Sequence, residues 1–393
     1  MAELPSLQSL QGLTTNISKA VMLERMLTKF TASYKLYWFK AIFDDVIAGN
    51  TYISFKRAVG RMVASAWYPV VYFRLNLGAT DKLADFVDFV HREFNLAQDC
   101  KQDIIIDLVS DAHSNCQLDR HIASLTTYVP YRLIRPFYEE RISHVNIGIS
   151  QAKRDSRIDG LIRQFNAEDI GGAPYCFTAD GDGVRVVDEW ATYLCENEAV
   201  IRGWLNYKLI EYLQARNPST PAISRKLYPP VQRDLSAAHA YWNTAMHTGE
   251  FREIYNGELF CADNFERYGA LSIDHFIPWS FVLHDEPWNL IPTFKNVNSR
   301  KNDRLPDFGR YKDGFCDQQF DALVTVLESK KHRKYLESYL SIDTDIFLYE
   351  RTSASRDAFT QSLENAIGPL YQIALNQGYP KWEYEYAVVT LWG

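Results

Sequence analysis

The chain has 393 residues, of which 47% are hydrophobic, 14% aromatic and 23% charged, with a formal net charge of -7. That length exceeds what one hydrophobic core usually organises, so two or three domains are expected, and the apolar content excludes a disordered chain. The acidic balance excludes a protein coated in nucleic-acid-binding surface, and the longest apolar stretches, such as LYWFKAIFDDVIAG at 36–49, meet charge well before the roughly 18 residues a bilayer span needs.

Residues 1–20 are polar and uncommitted. From Lys29 the pattern is helical, with Leu36, Phe39, Phe43, Val46 and Ile47 on one stripe that ends at Gly49. A second helix over 54–67 carries Phe55, Val59, Met62, Val63 and Trp67, and Pro69 stops it at or before Tyr68. VVYFRL then reads as a short extended piece. Gly78 and Asp81 open a helix with Leu83, Phe86, Val87, Val90 and Phe94, and another follows over DIIIDLVSDA. His91 and His113 lie in these helices without a carboxylate or cysteine at ligand spacing, which marks them as structural.

VPYRLIRPFY at 129–138 sets Arg132 and Arg135 one turn apart, where they could meet phosphates or lie over an aromatic core. After a basic helix at 151–164, PYCFTADGDGVRVVD reads as a β-hairpin near 175–187, turning at Asp180, Gly181, Asp182 and Gly183. A long aromatic-rich helix spans 188–216, and NPSTPAI with KLYPPVQRD reads as a linker. A lead-in helix at 232–246 follows, and residues 318–378 return to helices. The expected fold is mainly α with a small α+β part. Its divisions are a helical recognition or partner-binding region at 1–216, a linker and lead-in helix at 217–251, a compact unit at 252–315 and a helical cover at 316–393. Six cysteines (Cys100, Cys116, Cys176, Cys195, Cys261, Cys316) have no short-spaced pair, and no secretory n-region and h-region is seen, which fits reduced thiols in a cytoplasm and no membrane partner.

Residues 273–306, IDHFIPWSFVLHDEPWNLIPTFKNVNSRKNDRLP, concentrate the chemistry. Cutting a phosphodiester at neutral pH needs an activated water and a cation to offset charge on the phosphoryl oxygens and the leaving 3' oxygen. His275 suits the base and Asp274 the metal. Neighbours on a regular strand point to opposite faces, so both can serve one site only at a strand end, and Pro278 supplies that stop. Asn289 follows fourteen residues after His275 and Asn298 nine residues later, with Lys301 one turn beyond on the same helix face. His284 and Asp285 lie in the loop between His275 and Asn289, where His284 could be misread as a second base although nothing fixes its distance from the metal. Farther on, Asn302 and Asp303 are further candidate ligands, while Asp307 and Arg310 read as a solvated face. Basic residues Lys295, Arg300, Lys301, Arg304, Arg310 and Lys312 flank the segment, and KKHRK at 330–334 is a second basic run that reads as a solvated helix face.

The compound pattern D-H-x-x-P-x-S-F, then N, then N-x-x-K resembles the HNH (ββα-metal) endonucleases, most of all the zinc-free HNH domain of RNA-guided CRISPR effector nucleases, over about 252–310. The resemblance implies His275 as general base, Asp274 and Asn298 as metal ligands, Asn289 as the residue that pins the loop and orients His275, and Lys301 as a phosphate contact. A carboxylate and an amide oxygen are hard donors, which suits Mg²⁺ with Mn²⁺ as a substitute. Many HNH proteins add a structural zinc on two Cys-x-x-Cys pairs. Here the later pair is replaced by Phe294 and Val297 and the earlier region keeps only Cys261, so no structural zinc is expected, and Phe276, Trp279, Phe281, Trp288 and Phe294 should pack in its place.

The runs SYKLYWF, AWYPV, VPYRLIRPF and PAISRKLYPP look like those of bacterial proteins in which an HNH domain follows a helical region, and such chains look like prokaryotic antiviral defence proteins. The expected function is Mg²⁺-dependent cleavage of DNA. The chain would act either as the nuclease-bearing subunit of a type I CRISPR Cascade, with guide RNA and other subunits as partners, or as a stand-alone, restriction-like nuclease. The alternative from another class is a non-catalytic nucleic-acid or partner-binding module with a vestigial HNH fold.

Overall fold

The computed structural model describes residues 16–28, 32–111, 115–143, 151–169, 171–231, 233–247, 251–329 and 333–385. The start of the first expected helix at Lys29, the reading of His113, and Lys330, Lys331 and His332 of the second basic run lie outside those residues. The chain folds as two units, one of residues 1–218 with 226–229, the other of 219–225 with 230–393. Both are mainly helical with small sheets, the expected fold class.

The first unit is built on helices Tyr34–Ile47 and Phe55–Trp67, whose apolar stripes meet in the core through residues such as Trp38, Phe43, Val59 and Trp67. Ser54 caps the second of these by accepting the Arg57 N–H, and Asp81 caps Lys82–Glu93 in the same way through the N–H groups of Leu83 and Ala84. The piece expected to be extended after Trp67 is instead a π-helical turn, Tyr68–Tyr72. Pro69 has no N–H to continue the α-helical ladder, and the chain widens so that Phe73 N–H reaches the Tyr68 carbonyl at 2.9 Å. The expected hairpin is present as β2 (Tyr175–Phe177) and β3 (Gly183–Val186), and β1 (Tyr52–Ser54) adds a third antiparallel strand in the order β1-β3-β2. Gly183 is where β1 comes close, since a Cβ there would stand 2.7 Å from the Ile53 carbonyl. The helix expected at 188–216 is two, Asp188–Glu196 and Glu198–Arg216. Asn197 breaks it by turning its amide back to the Tyr193 carbonyl at 2.8 Å.

The second unit holds the segment read as chemical. Strand β4 (Leu271–His275) pairs antiparallel with β5 (Leu290–Phe294), and helix Lys295–Lys301 follows directly, giving a ββα unit. Gly269 admits the chain to β4 at φ +89, a left-handed conformation that disfavours any side chain. Helix Phe308–Ser329 runs across residue 315, and Phe276 stacks on Phe315 at 4.2 Å. The ββα core is too small to bury its own apolar face, and it shares one hydrophobic cluster with the helices Ser236–Met246, Phe308–Ser329 and Ser353–Asn376. A short parallel pair, β6 (Leu305–Pro306) with β7 (Lys381–Trp382), ties the exit of the ββα unit to the end of the described chain. No helix among the described residues is long and apolar enough to cross a membrane. All six cysteines are free.

Candidate active site

Strand β4 ends at His275, and Pro278 caps the short helix Trp279–Val282 that turns the chain away. Asp274 and His275 therefore sit where the strand's alternation is about to break, and both are buried, at 3% and 5% exposure. The turn is held by Asn289, which is fully buried. Its Oδ1 accepts the Ile277 N–H at 2.8 Å, its Nδ2 donates to the Ile277 carbonyl at 2.9 Å, and its own carbonyl accepts the Phe276 N–H. A single asparagine thus satisfies both polar groups of a backbone segment that no ladder reaches.

His275 Nε2 lies 2.8 Å from Asp285 Oδ1 in the β4–β5 loop. Burial pushes the imidazole below its usual range, with the Asp285 hydrogen bond acting the other way. Burial alone would raise the Asp285 carboxyl, but the His275 hydrogen bond and nearby positive charge hold it below the ordinary carboxylate value. At neutral pH the pair is then a neutral ring beside an ionised acid. The carboxylate can only accept, so the proton sits on Nε2 and the lone pair on Nδ1.

Asp274 is gripped from two sides. Tyr255 O–H donates to Oδ2 at 2.6 Å, while Lys301 Nζ stands 3.1 Å from Oδ1 and 3.0 Å from Oδ2. Lys301 also donates to the His275 carbonyl at 2.7 Å. Its expected phosphate contact is corrected by this arrangement, because the ammonium is fully buried and turned inward. Burial lowers its pKa and the Asp274 charge works to restore it, so the two ions are held as a buried pair.

Asn298, one turn before Lys301, is half-buried with its Nδ2 donating to Ser272 Oγ at 2.8 Å and to the Ile273 carbonyl at 3.2 Å. Its Oδ1 accepts no hydrogen bond from the described residues. An amide whose nitrogen is pinned and whose oxygen is unused, on the helix that also brings Lys301 to Asp274, is the donor set a hard divalent cation would take. Among the described residues no group of three or more His, Cys, Asp or Glu is placed to hold a metal, so any cation here relies on a mixed carboxylate and amide set.

The other candidates separate. His284 packs on Trp288 with centroids 5.0 Å apart, and burial drives its pKa down to about 4, which leaves it uncharged. Asn302 is exposed and closes the Lys295–Lys301 helix at φ +51, and Asp303 contributes a charge that acts on Lys301. Asp307 caps the following helix by accepting the Arg310 N–H at 2.9 Å, a solvent-exposed bond. Arg310 and Lys312 of the basic flank pair with Glu383 and Glu364, while Lys295 and Arg300 are exposed. At the positions of the second zinc pair, Phe294 and Val297 are buried, and Phe294 packs against Phe260, Phe265 and Tyr268 at 5.0–5.6 Å. In the first unit, Arg132 lies over the Tyr128 ring at 4.6 Å and reaches Asp155 and Asp159, and His91 lies edge-on to Trp67.

Three residues of this site were not singled out in the sequence: Asp285, Tyr255 and the buried Glu253. The signal for Asp285 was a carboxylate in the same loop as His284. Tyr255, nineteen residues before Asp274 in an aromatic-rich stretch, carried none.

A family model described as HNH endonuclease matches residues 253–307. No curated protein and no solved structure matches the chain.

Proposed function

We propose that the chain is a divalent-metal-dependent endonuclease that hydrolyses DNA phosphodiester bonds at the β4–β5–helix unit. The match of 253–307 to HNH endonucleases supports nuclease chemistry in general. The observation that carries the finer reading is the oriented His275–Asp285 pair beside the Asp274 carboxylate and the unused Asn298 oxygen. Asp274 and Asn298 would hold the cation, and Mg²⁺ fits their hard oxygens best, with Mn²⁺ as a substitute. A bound cation would offset the charge building on the phosphoryl and leaving oxygens. His275 Nδ1 takes the proton of the attacking water as its oxygen bonds to phosphorus and the bond to the 3' oxygen breaks. Asp285 stabilises the imidazolium that results, and Asn289 keeps the turn that aims the ring. Lys301 neutralises Asp274 and fixes the His275 carbonyl.

The cellular role that goes with this chemistry is antiviral defence in a cytoplasm. A net charge of -7 favours a chain that borrows basic surface from partners, as a nuclease subunit of a guide-RNA Cascade would, over one that tracks DNA unaided. One observation favours a second reading as a vestigial binding module: Asp274, His275 and Lys301 are buried and Asp274 is already paired. A supercoiled plasmid incubated with the purified chain in Mg²⁺ buffer decides between them. Nicking that EDTA stops and His275→Ala slows by about 10² to 10⁴ is expected of the enzyme. Equal cutting by His275→Ala would reject the assignment of the base, and an inert wild type that still binds DNA would establish the module.

A further inference from the structure

We infer that Tyr255 is a positioning residue for the metal-holding carboxylate, fixing which face of Asp274 is offered to a cation; this rests on the proposed metal site. The phenol is buried at 2% exposure, with its ring edge-on to Tyr311 and to Trp382, each at 5.2 Å, so the ring is fixed and the hydroxyl has one direction. That direction ends on Asp274 Oδ2 at 2.6 Å. The backbone behind the ring is fixed as well. Glu253 is fully buried, its Oε2 accepts the N–H groups of Tyr255 and Asn256 at 3.0 and 2.7 Å, and its Oε1 accepts the Thr293 hydroxyl at 2.8 Å. Thr293 lies on β5, the strand that pairs with Asp274's own strand, where Ser272 faces Thr293 and Asp274 faces Ile291. A closed chain of contacts therefore runs from β5 through Glu253 and Tyr255 back to the Asp274 carboxylate.

The carboxyl torsion of an aspartate is soft, so a carboxylate bonded only to a lysine swings with it. Lys301 Nζ straddles both oxygens, at 3.1 and 3.0 Å, and a single ammonium so placed leaves the carboxylate free to pivot about it, whereas the phenol on Oδ2 at 2.6 Å adds a second, directional hold that fixes the rotation. Without the phenol, Lys301 is the remaining described side chain on the Asp274 carboxylate, and the orientation offered to a cation is no longer fixed. Outer contacts of this kind typically change metal affinity by about 10- to 100-fold when removed.

The test is Mn²⁺ binding followed by electron paramagnetic resonance of free Mn²⁺, on the full chain with and without a DNA duplex, in wild type, Asp274→Asn and Tyr255→Phe. Tyr255→Phe should bind Mn²⁺ about 10- to 100-fold more weakly while plasmid nicking at saturating Mn²⁺ returns to within a few-fold of wild type. Binding within twofold of wild type overturns the inference while leaving the metal site standing. A wild type that takes up no Mn²⁺ under either condition, or an Asp274→Asn chain that binds as wild type does, overturns the metal site and the inference together. If Tyr255→Phe fails to fold, Glu253→Gln keeps the phenol and loosens the turn behind it, and a fall in Mn²⁺ affinity is again expected; an unchanged affinity there overturns the inference.

Discussion

Replacing Asn289 by alanine removes two hydrogen bonds, at 2.8 and 2.9 Å, from Ile277, a buried residue whose N–H and carbonyl have no other partner among the described residues. Leaving a buried backbone group unmet costs about 1 to 3 kcal/mol, so the pair should cost about 2 to 6 kcal/mol. A unit of this size loses about 2 to 4 °C of melting temperature per kcal/mol, which predicts a fall of about 5 to 20 °C by calorimetry. Asn289→Asp keeps the acceptor for the Ile277 N–H but sets a second oxygen against the Ile277 carbonyl, and at pH 8 it should melt no higher than the alanine variant. Both variants should also cleave DNA poorly, because the turn that aims His275 is lost. An alanine variant melting within about 2 °C of wild type would show that the loop is held by its apolar residues alone, and the reasoning would fail.

Lys301→Met strands the buried Asp274 carboxylate and should cost about 3 to 5 kcal/mol in urea unfolding, much of it recovered by adding Asp274→Asn; no recovery would mean the pair is not what the lysine stabilises. Asp285→Ala should lower kcat while leaving KM within a few-fold, by less than the loss from His275→Ala, and ¹⁵N shifts of the His275 ring should show the Nε2–H tautomer depleted. Glu253 predicts a pH dependence of stability. Burial, opposed by its three hydrogen-bond donors, raises its carboxyl from an ordinary 4.5 to about 7. A raised carboxyl binds its proton more tightly in the folded state, so the stabilisation is complete below 4.5 and is lost as pH rises through 7. The difference amounts to about 3 kcal/mol, and Glu253→Gln should flatten the slope of unfolding free energy between pH 5 and 8. A variant with the wild-type slope would place the titration elsewhere.

The ββα segment was legible because its chemistry is local. Asp274, His275, Asn289, Asn298 and Lys301 lie within 28 residues, and a strand end, a turn and one helix bring them together. Long helices such as Phe55–Trp67 were equally plain from their apolar stripes. What failed to show depended on distant partners. β1 is three residues long and exists because Gly183 lets it approach, whereas the π turn after Trp67 has a local cause, Pro69, which was read as ending the helix and instead widens it. Lys301 was expected at a phosphate because the resemblance implies it there, and only the packed site shows that its charge is turned onto Asp274.

The β6–β7 pair bears on how portable the nuclease segment is. Leu305 N–H donates to the Pro380 carbonyl and Asp307 N–H to the Trp382 carbonyl, so the last residues of the 253–307 match are stitched to a strand far downstream. Trp382 and Tyr311 also form the walls around the Tyr255 ring. A fragment cut at 307 would leave that ring unwalled and those amides bare. Transplanting this cutting centre into another scaffold therefore means moving the chain from about Ser236 to Tyr384 as one piece.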